Sequence, residues 1–128
     1  DHISVRTSSY YGINKQSKKI RVHGLHYLIE NANANDKLLI VDDVFDSGRS
    51  VDALIKKIRK QSRLNTPDDI RVACPWYKPS KNAVKFEPDY FIHESEEWLV
   101  FPHELAGLEA DEITQGKSDL TNIRHLFE

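Results

Sequence analysis

Hydrophobic and polar positions alternate along this chain with two different periods, and each change of period marks a change of element. In "ISVRTSSYYG", Ile3 and Val5 alternate with polar neighbours, which predicts a strand. "GINKQSKK" is polar, opened by glycine and rich in lysine, the composition of an exposed mobile loop. "IRVHG" then reads as a short return strand. Leu25, Leu28, Ile29 and Ala32 fall at i, i+3, i+4, i+7 and predict a helix, which the turn-forming "NANAND" ends. Residues 38–42 form a run of strand length, apolar from Leu38 to Val41 and ending at Asp42, the pattern of a parallel-sheet strand covered on both faces. Val51, Leu54, Ile55 and Ile58 restore the helical stripe to about residue 63. After the loop "NTPDD" come a strand, "IRVACPWY", a polar connection, "KPSKNAVKFEP", and a short strand, "DYFIHE". The aromatic-rich "EEWLVFP" follows, then a predicted helix, "HELAGLEA", and one more short helix, "DLTNIRHLF". The strand–helix–strand alternation predicts an α/β architecture with a parallel sheet.

Composition narrows the function classes. At 128 residues the chain has the size of a single domain with its own core. Its net charge of -2 offers no basic footprint, which argues against DNA or RNA as the main partner. No stretch approaches the roughly 18 apolar residues of a membrane helix. The polar opening Asp1-His2 does not look like a signal peptide. The single cysteine, Cys74, excludes an internal disulfide and fits a reducing, cytoplasmic compartment. The sequence contains no methionine, so the expectation is a processed chain or a piece of something longer.

The candidate chemistry lies in "KLLIVDDVFDSGRSVDAL". Ligands of open α/β sheets bind beyond the carboxyl ends of the strands, where Asp42 and Asp43 sit. "FDSGRS" behind them is a tight turn opening a helix. A helix N-terminus offers N–H groups and partial positive charge, which suit a phosphate. Gly48 allows close backbone approach, and Ser47 and Ser50 add hydroxyl donors. Two adjacent carboxylates suit paired sugar hydroxyls or a divalent cation. Together these features predict a sugar-phosphate site. The competing structural reading is that these residues only cap the helix. The Walker pattern G-x-x-x-x-G-K-[ST] is not present.

"LLIVDDVFDSGRS" resembles the phosphoribosyl-pyrophosphate signature of the type I phosphoribosyltransferases, an apolar strand and two acidic residues followed by D-[ST]-G-x-[ST]. Ser47 stands where threonine is commoner. "TSSYYG", with Ser8, Ser9 and Tyr10, resembles the flexible active-site loop of the 6-oxopurine branch, expected over residues 7–18. "WYKPS" resembles the strand whose lysine reads the 6-oxo group, here Lys78. "EPDYFIHESEEWLVFPHEL" resembles the purine-side segment, here with Trp98 stacking on the base and Leu99 beside it.

The resemblance implies a single domain of the type I fold, with its signature strand–turn–helix over 38–63 and its purine-side segment over 76–104. The implied reaction is transfer of 5-phosphoribosyl to N9 of hypoxanthine, guanine or xanthine in purine salvage. Asp42 and Asp43 would hold the ribose hydroxyls and, through them, approach Mg2+. Asp46, Ser47, Gly48, Arg49 and Ser50 would wrap the 5′-phosphate, and Asp46 would act at the purine N7. Glu104 would lie near the metal and pyrophosphate. Relatives are commonly homo-oligomers. The family's first strand and pyrophosphate loop have no counterpart before Ser8, so an N-terminally incomplete domain, weakly active or inactive alone, is expected. A sensor of phosphoribosyl pyrophosphate with the same fold is the alternative, and a pyrimidine or orotate enzyme is another.

Simpler readings stand beside these. An aromatic such as Trp98 in an apolar stretch is commonly core. A lone lysine such as Lys78 is usually solvated. His23-x-x-His26 lacks a third metal ligand. Glu94, Glu96 and Glu97 read as a solvated acidic turn, and Cys74 as an inert buried thiol.

Overall fold

A computed structural model describes residues 1–11 and 18–102 of the chain. The helices predicted over "HELAGLEA" and "DLTNIRHLF" lie outside the described residues, as does Glu104. The chain divides into two compact units, Asp1–Glu96 and Glu97–Glu128. Every strand and α-helix described below belongs to the first.

Strands β1 (Arg6–Tyr11) and β2 (Lys18–His23) pair antiparallel as a ribbon of their own. The predicted strand and return strand are therefore present. Ser8, Ser9 and Tyr10, on a strand by periodicity and in a flexible active-site loop by resemblance, lie on β1, opposite Arg21, Ile20 and Lys19; residues 12–17 of that expected loop lie outside the described residues. Helix α1 (His26–Asn31) follows. Strand β3 (Lys37–Val41) leads through a two-residue interruption to the short strand β4 (Val44–Phe45), and helix α2 spans Arg49–Ser62. Strand β5 (Asp69–Tyr77) forms the centre of the parallel sheet, with β3 and β4 on one side and β6 (Tyr90–Glu94) on the other.

The register explains the interruption. Val41 faces Ala73 and Val44 faces Trp76, so Asp42 and Asp43 stand opposite Cys74 and Pro75. The Asp42 N–H donates to the Ala73 carbonyl at 3.1 Å. A parallel ladder would next draw on the N–H of residue 75. Proline has none, and the ladder breaks there. Pairing resumes at β4, and the Lys78 N–H donates to the Phe45 carbonyl at 2.9 Å.

One face of the sheet is covered. Val51, Leu54 and Ile58 of α2 pack with Leu25, Ile40, Val72, Cys74 and Tyr77, and Phe45 and Ile58 are the most deeply buried. Expectation and structure differ at β3. Ile40 is buried, but Leu39 and Val41 are 54% and 71% exposed. Among the described residues the apolar run is therefore covered on one face only. The physical reason is that the side chains of α1 and α2 enter the same core cluster, on the side that Ile40 faces.

Phe45 sits at the centre of this packing. Its ring meets the edges of Tyr77 and Phe86 at centroid distances of 5.5 and 5.8 Å. Phe45→Ala should lower stability by about 3–5 kcal/mol, a large part of what a domain of this size has. A chemical-denaturation midpoint shifted by much less would show that Phe45 is not the keystone of this end of the core.

Candidate phosphoribosyl site

Each carboxylate at the break receives the next backbone N–H. Asp42 Oδ1 accepts from Asp43 at 2.9 Å, and Asp43 Oδ1 accepts from Val44 at 2.8 Å. Both acids are thereby held at the carboxyl end of β3, while the chain runs on in the same direction into β4. The crowding around Asp42 removes enough water to push its carboxyl up to about 6. Bonding from the Asp43 N–H opposes that shift, and the neighbouring Asp43 charge adds to it. The Asp42 side chain still reaches solvent.

The turn into α2 depends on Gly48, which precedes the helix with φ +77. A Cβ there would lie 2.5 Å from the Phe45 ring and 2.6 Å from Val84 Cγ2. Both the backbone angle and the space call for glycine. Ser47 Oγ accepts the Arg49 N–H at 3.3 Å, while the Ser47 carbonyl accepts the Ala83 N–H at 2.9 Å. Glycine provides no side-chain cap for the first turn of α2. That helix end is suited to an external anion.

Asp42, Asp43, Asp46, Ser47, Gly48 and Ser50 line one pocket of about 230 Å³, together with Val44, Phe45 and Val51. The Arg49 side chain is exposed and is not among the lining residues. Beside the pocket, Lys78 is 3% exposed and its Nζ lies 3.4 Å from Asp46 Oδ2. Lys78 is therefore no solvated surface charge. A buried ammonium needs compensation, and Asp46 supplies part of it.

The other predicted residues are not placed in this pocket. Ser8, Ser9 and Tyr10 are on β1. Trp98 and Leu99 belong to the second unit, where Trp98 is 61% exposed. Glu104 lies outside the described residues. Glu96 is more than a solvated acid. Its carboxylate accepts the N–H and hydroxyl of Ser80, and the hydroxyl bond holds it below the ordinary carboxylate range. Cys74 is buried as expected, and burial pushes its thiol up. Among the described residues no group of three metal-binding side chains occurs, and His23 and His26 make none. The Asp42–Asp43 pair nevertheless offers hard oxygen donors. They fit a cation such as Mg2+ that takes its other ligands from phosphates and water.

Sequence reasoning did not single out Pro75 or the loop 79–86. Proline inside an apolar strand was a readable signal of interrupted pairing. The loop carried no such signal.

The sheet, the broken strand and the turn define an α/β protein with a polar pocket at the carboxyl end of its parallel sheet. Residues 4–110 match the phosphoribosyl transferase domain family, and the chain belongs to it. A purine phosphoribosyltransferase from Pyrococcus horikoshii Ot3 is similar in structure, with a TM-score of 0.56 and 27% identity over 77% of this chain and 57% of that one. A hypoxanthine phosphoribosyltransferase from Staphylococcus aureus shares the fold, with a TM-score of 0.51 and 14% identity over 73% of this chain and 47% of that one. The chain thus spans about half the length of each. No curated protein matches it. No helix among the described residues is long and apolar enough to cross a membrane.

Two outcomes test this geometry. Gly48→Ala should cost about 2–4 kcal/mol from left-handed strain and overpacking, read as a lower denaturation midpoint. A neutral result would mean that the turn is not built as described. By NMR, Asp42 should titrate near 6, and Asp43→Asn should bring it down by removing the adjacent charge. The folded state holds this proton more tightly than the unfolded chain does. The group's contribution to stability therefore falls as pH rises from about 4 to 6.

Proposed function

We propose that this chain carries the site for transfer of 5-phosphoribosyl from phosphoribosyl pyrophosphate to N9 of a 6-oxopurine: hypoxanthine, guanine or xanthine. The products are the nucleoside monophosphate and pyrophosphate, a purine-salvage reaction. One observation carries the reading. The adjacent acids Asp42 and Asp43 and the Ser47–Gly48 turn line a single pocket, with the Asp46–Lys78 pair at its side. The purine phosphoribosyltransferase relative supports a purine as acceptor.

In this reading Asp42 and Asp43 accept hydrogen bonds from the two ribose hydroxyls. The first-turn N–H groups of α2, with the Ser47 and Ser50 hydroxyls, take the 5′-phosphate. The purine N9 bonds to C1′ as the bond from C1′ to the pyrophosphate oxygen breaks, its electron pair leaving with the pyrophosphate. Positive charge grows on the sugar, and nearby carboxylates stabilise it. Asp46 accepts the N7 proton as N9 bonds to C1′, which leaves the base of the product neutral. Lys78 donates to the 6-oxo group and cannot accept from the amino group of adenine, so adenine is rejected. Before the base arrives, the pair with Asp46 keeps the lysine charge compensated. Trp98 supplies an apolar face for the base with Leu99 at its edge, and the β1–β2 hairpin, with Ser8, Ser9 and Tyr10, screens the site from water.

Asp42 and Asp43 would hold magnesium through the ribose hydroxyls, with Glu104 nearby. Held there, the ion would supply charge neutralisation for the pyrophosphate. The exposed Leu39, Val41 and Ile92 support association with further copies of the chain. The lone buried Cys74 supports a reducing cytoplasm.

Calorimetric titration with phosphoribosyl pyrophosphate and magnesium, then with guanosine monophosphate, should show binding of both. Turnover should follow with 6-oxopurines and not with adenine. Binding of the pyrophosphate sugar alone would replace the transferase by a sensor, and binding of neither would overturn the site. Asp46→Asn should lower kcat about 100-fold or more while changing sugar-phosphate affinity little. The reverse pattern would remove Asp46 from the chemistry. Affinity for the sugar should fall below about pH 6, as Asp42 takes up its proton and loses acceptor capacity.

A further inference from the structure

The loop after β5 returns to the phosphate turn at several points between Lys78 and Phe86. At one end, the Lys78 N–H is bonded to the Phe45 carbonyl and Lys78 Nζ faces Asp46. In the middle, the Ala83 N–H donates to the Ser47 carbonyl at 2.9 Å, and Val84 stands against Gly48. Further on, the Phe86 ring packs edge-on to Phe45. Residues 45–48 are therefore backed by this one loop.

Asn82 organises the loop. Its Nδ2 donates to the Tyr77 hydroxyl at 3.0 Å and to the Phe86 carbonyl at 2.9 Å. Its Oδ1 accepts the Val84 N–H at 2.9 Å. Tyr77 and Phe86 are the two residues whose rings flank Phe45, and Phe45 is the ring that abuts Gly48. One half-buried amide thus ties both supports of Phe45 together and aims the Ala83 N–H at Ser47.

We infer that Asn82 is a positioning residue for the phosphate turn, setting sugar-phosphate affinity through the 78–86 loop without touching the ligand. The ligand part of this inference rests on the phosphoribosyl reading above. The backbone part does not. The same loop begins at Lys78, so loosening it affects base recognition as well as phosphate binding. Three hydrogen bonds of ordinary strength are involved, and losing them should weaken binding at least about fivefold.

The test is calorimetric titration of the full chain, wild type and Asn82→Ala, with phosphoribosyl pyrophosphate and magnesium. Amide hydrogen exchange is followed on the free proteins. A change that only unfolds part of the sample lowers the apparent stoichiometry and leaves the Kd alone. A positioning role raises the Kd at unchanged stoichiometry, and guanosine monophosphate should lose affinity in parallel. Exchange at the Ala83 N–H should quicken in the variant, with residues 45–48 following. An unchanged Kd with unchanged exchange overturns the proposal. If the wild type binds no phosphoribosyl pyrophosphate, the functional reading fails by itself. Exchange at Ala83 and residues 45–48 then decides the brace, quickened exchange supporting it and unchanged exchange overturning it. Should Asn82→Ala not fold, Asn82→Asp keeps the shape and the Val84 bond but loses donation to Phe86. It should shift both readouts the same way by a smaller amount, and no shift in either would overturn the proposal.

Discussion

The contact between the Gly48 backbone and the Phe45 ring is the constraint on which the rest of this site depends. The turn must reverse the chain between β4 and α2 within three residues while packing directly onto the core. Only a residue without a Cβ fits at φ +77 with an aromatic ring and Val84 this close. Because the turn rests on buried ring edges, it is held as part of the core. A turn placed this way is preorganised. Its N–H groups would need little reordering for an anion, which is how a small polar turn gains affinity.

The second constraint is the interrupted ladder. Pro75 withholds one donor, and the two acids opposite it turn back onto their own next N–H groups. Crowding and the adjacent Asp43 charge raise the cost of ionising Asp42. That cost is carried by the folded state. A hydroxyl donor or a cation beside Asp42 would lower it. The pairing of buried Lys78 with Asp46 is similar, a charge kept in the interior by a partner that the proposed chemistry also uses.

The described residues also leave apolar surface uncovered. Leu39 and Val41 on β3 and Ile92 on β6 project from a face that the described helices do not cover. Parallel sheets ordinarily bury both faces. The same strand that carries the acids therefore presents a surface suited to further protein.

Much of this was legible in the sequence because it is local. The period-2 and period-3.6 stripes located the strands and helices, since side-chain direction follows directly from backbone geometry. The acids, Ser47, Gly48 and Ser50 were legible as one site because they are neighbours in the chain, within the motif from Leu38 to Ser50. Other features were decided only by the tertiary structure. Leu39 and Ile40 are equally apolar, and only the one-sided placement of the helices leaves one exposed and the other buried. Lys78 and Asp46 are 32 residues apart and meet only because β5 lies beside β4. Asn82, in a polar connection with no motif, gained its role from Tyr77, Phe86 and Val84 converging on its amide. Sequence determined what depends on neighbours along the chain, while packing across it decided which charges are buried and which loop supports the turn.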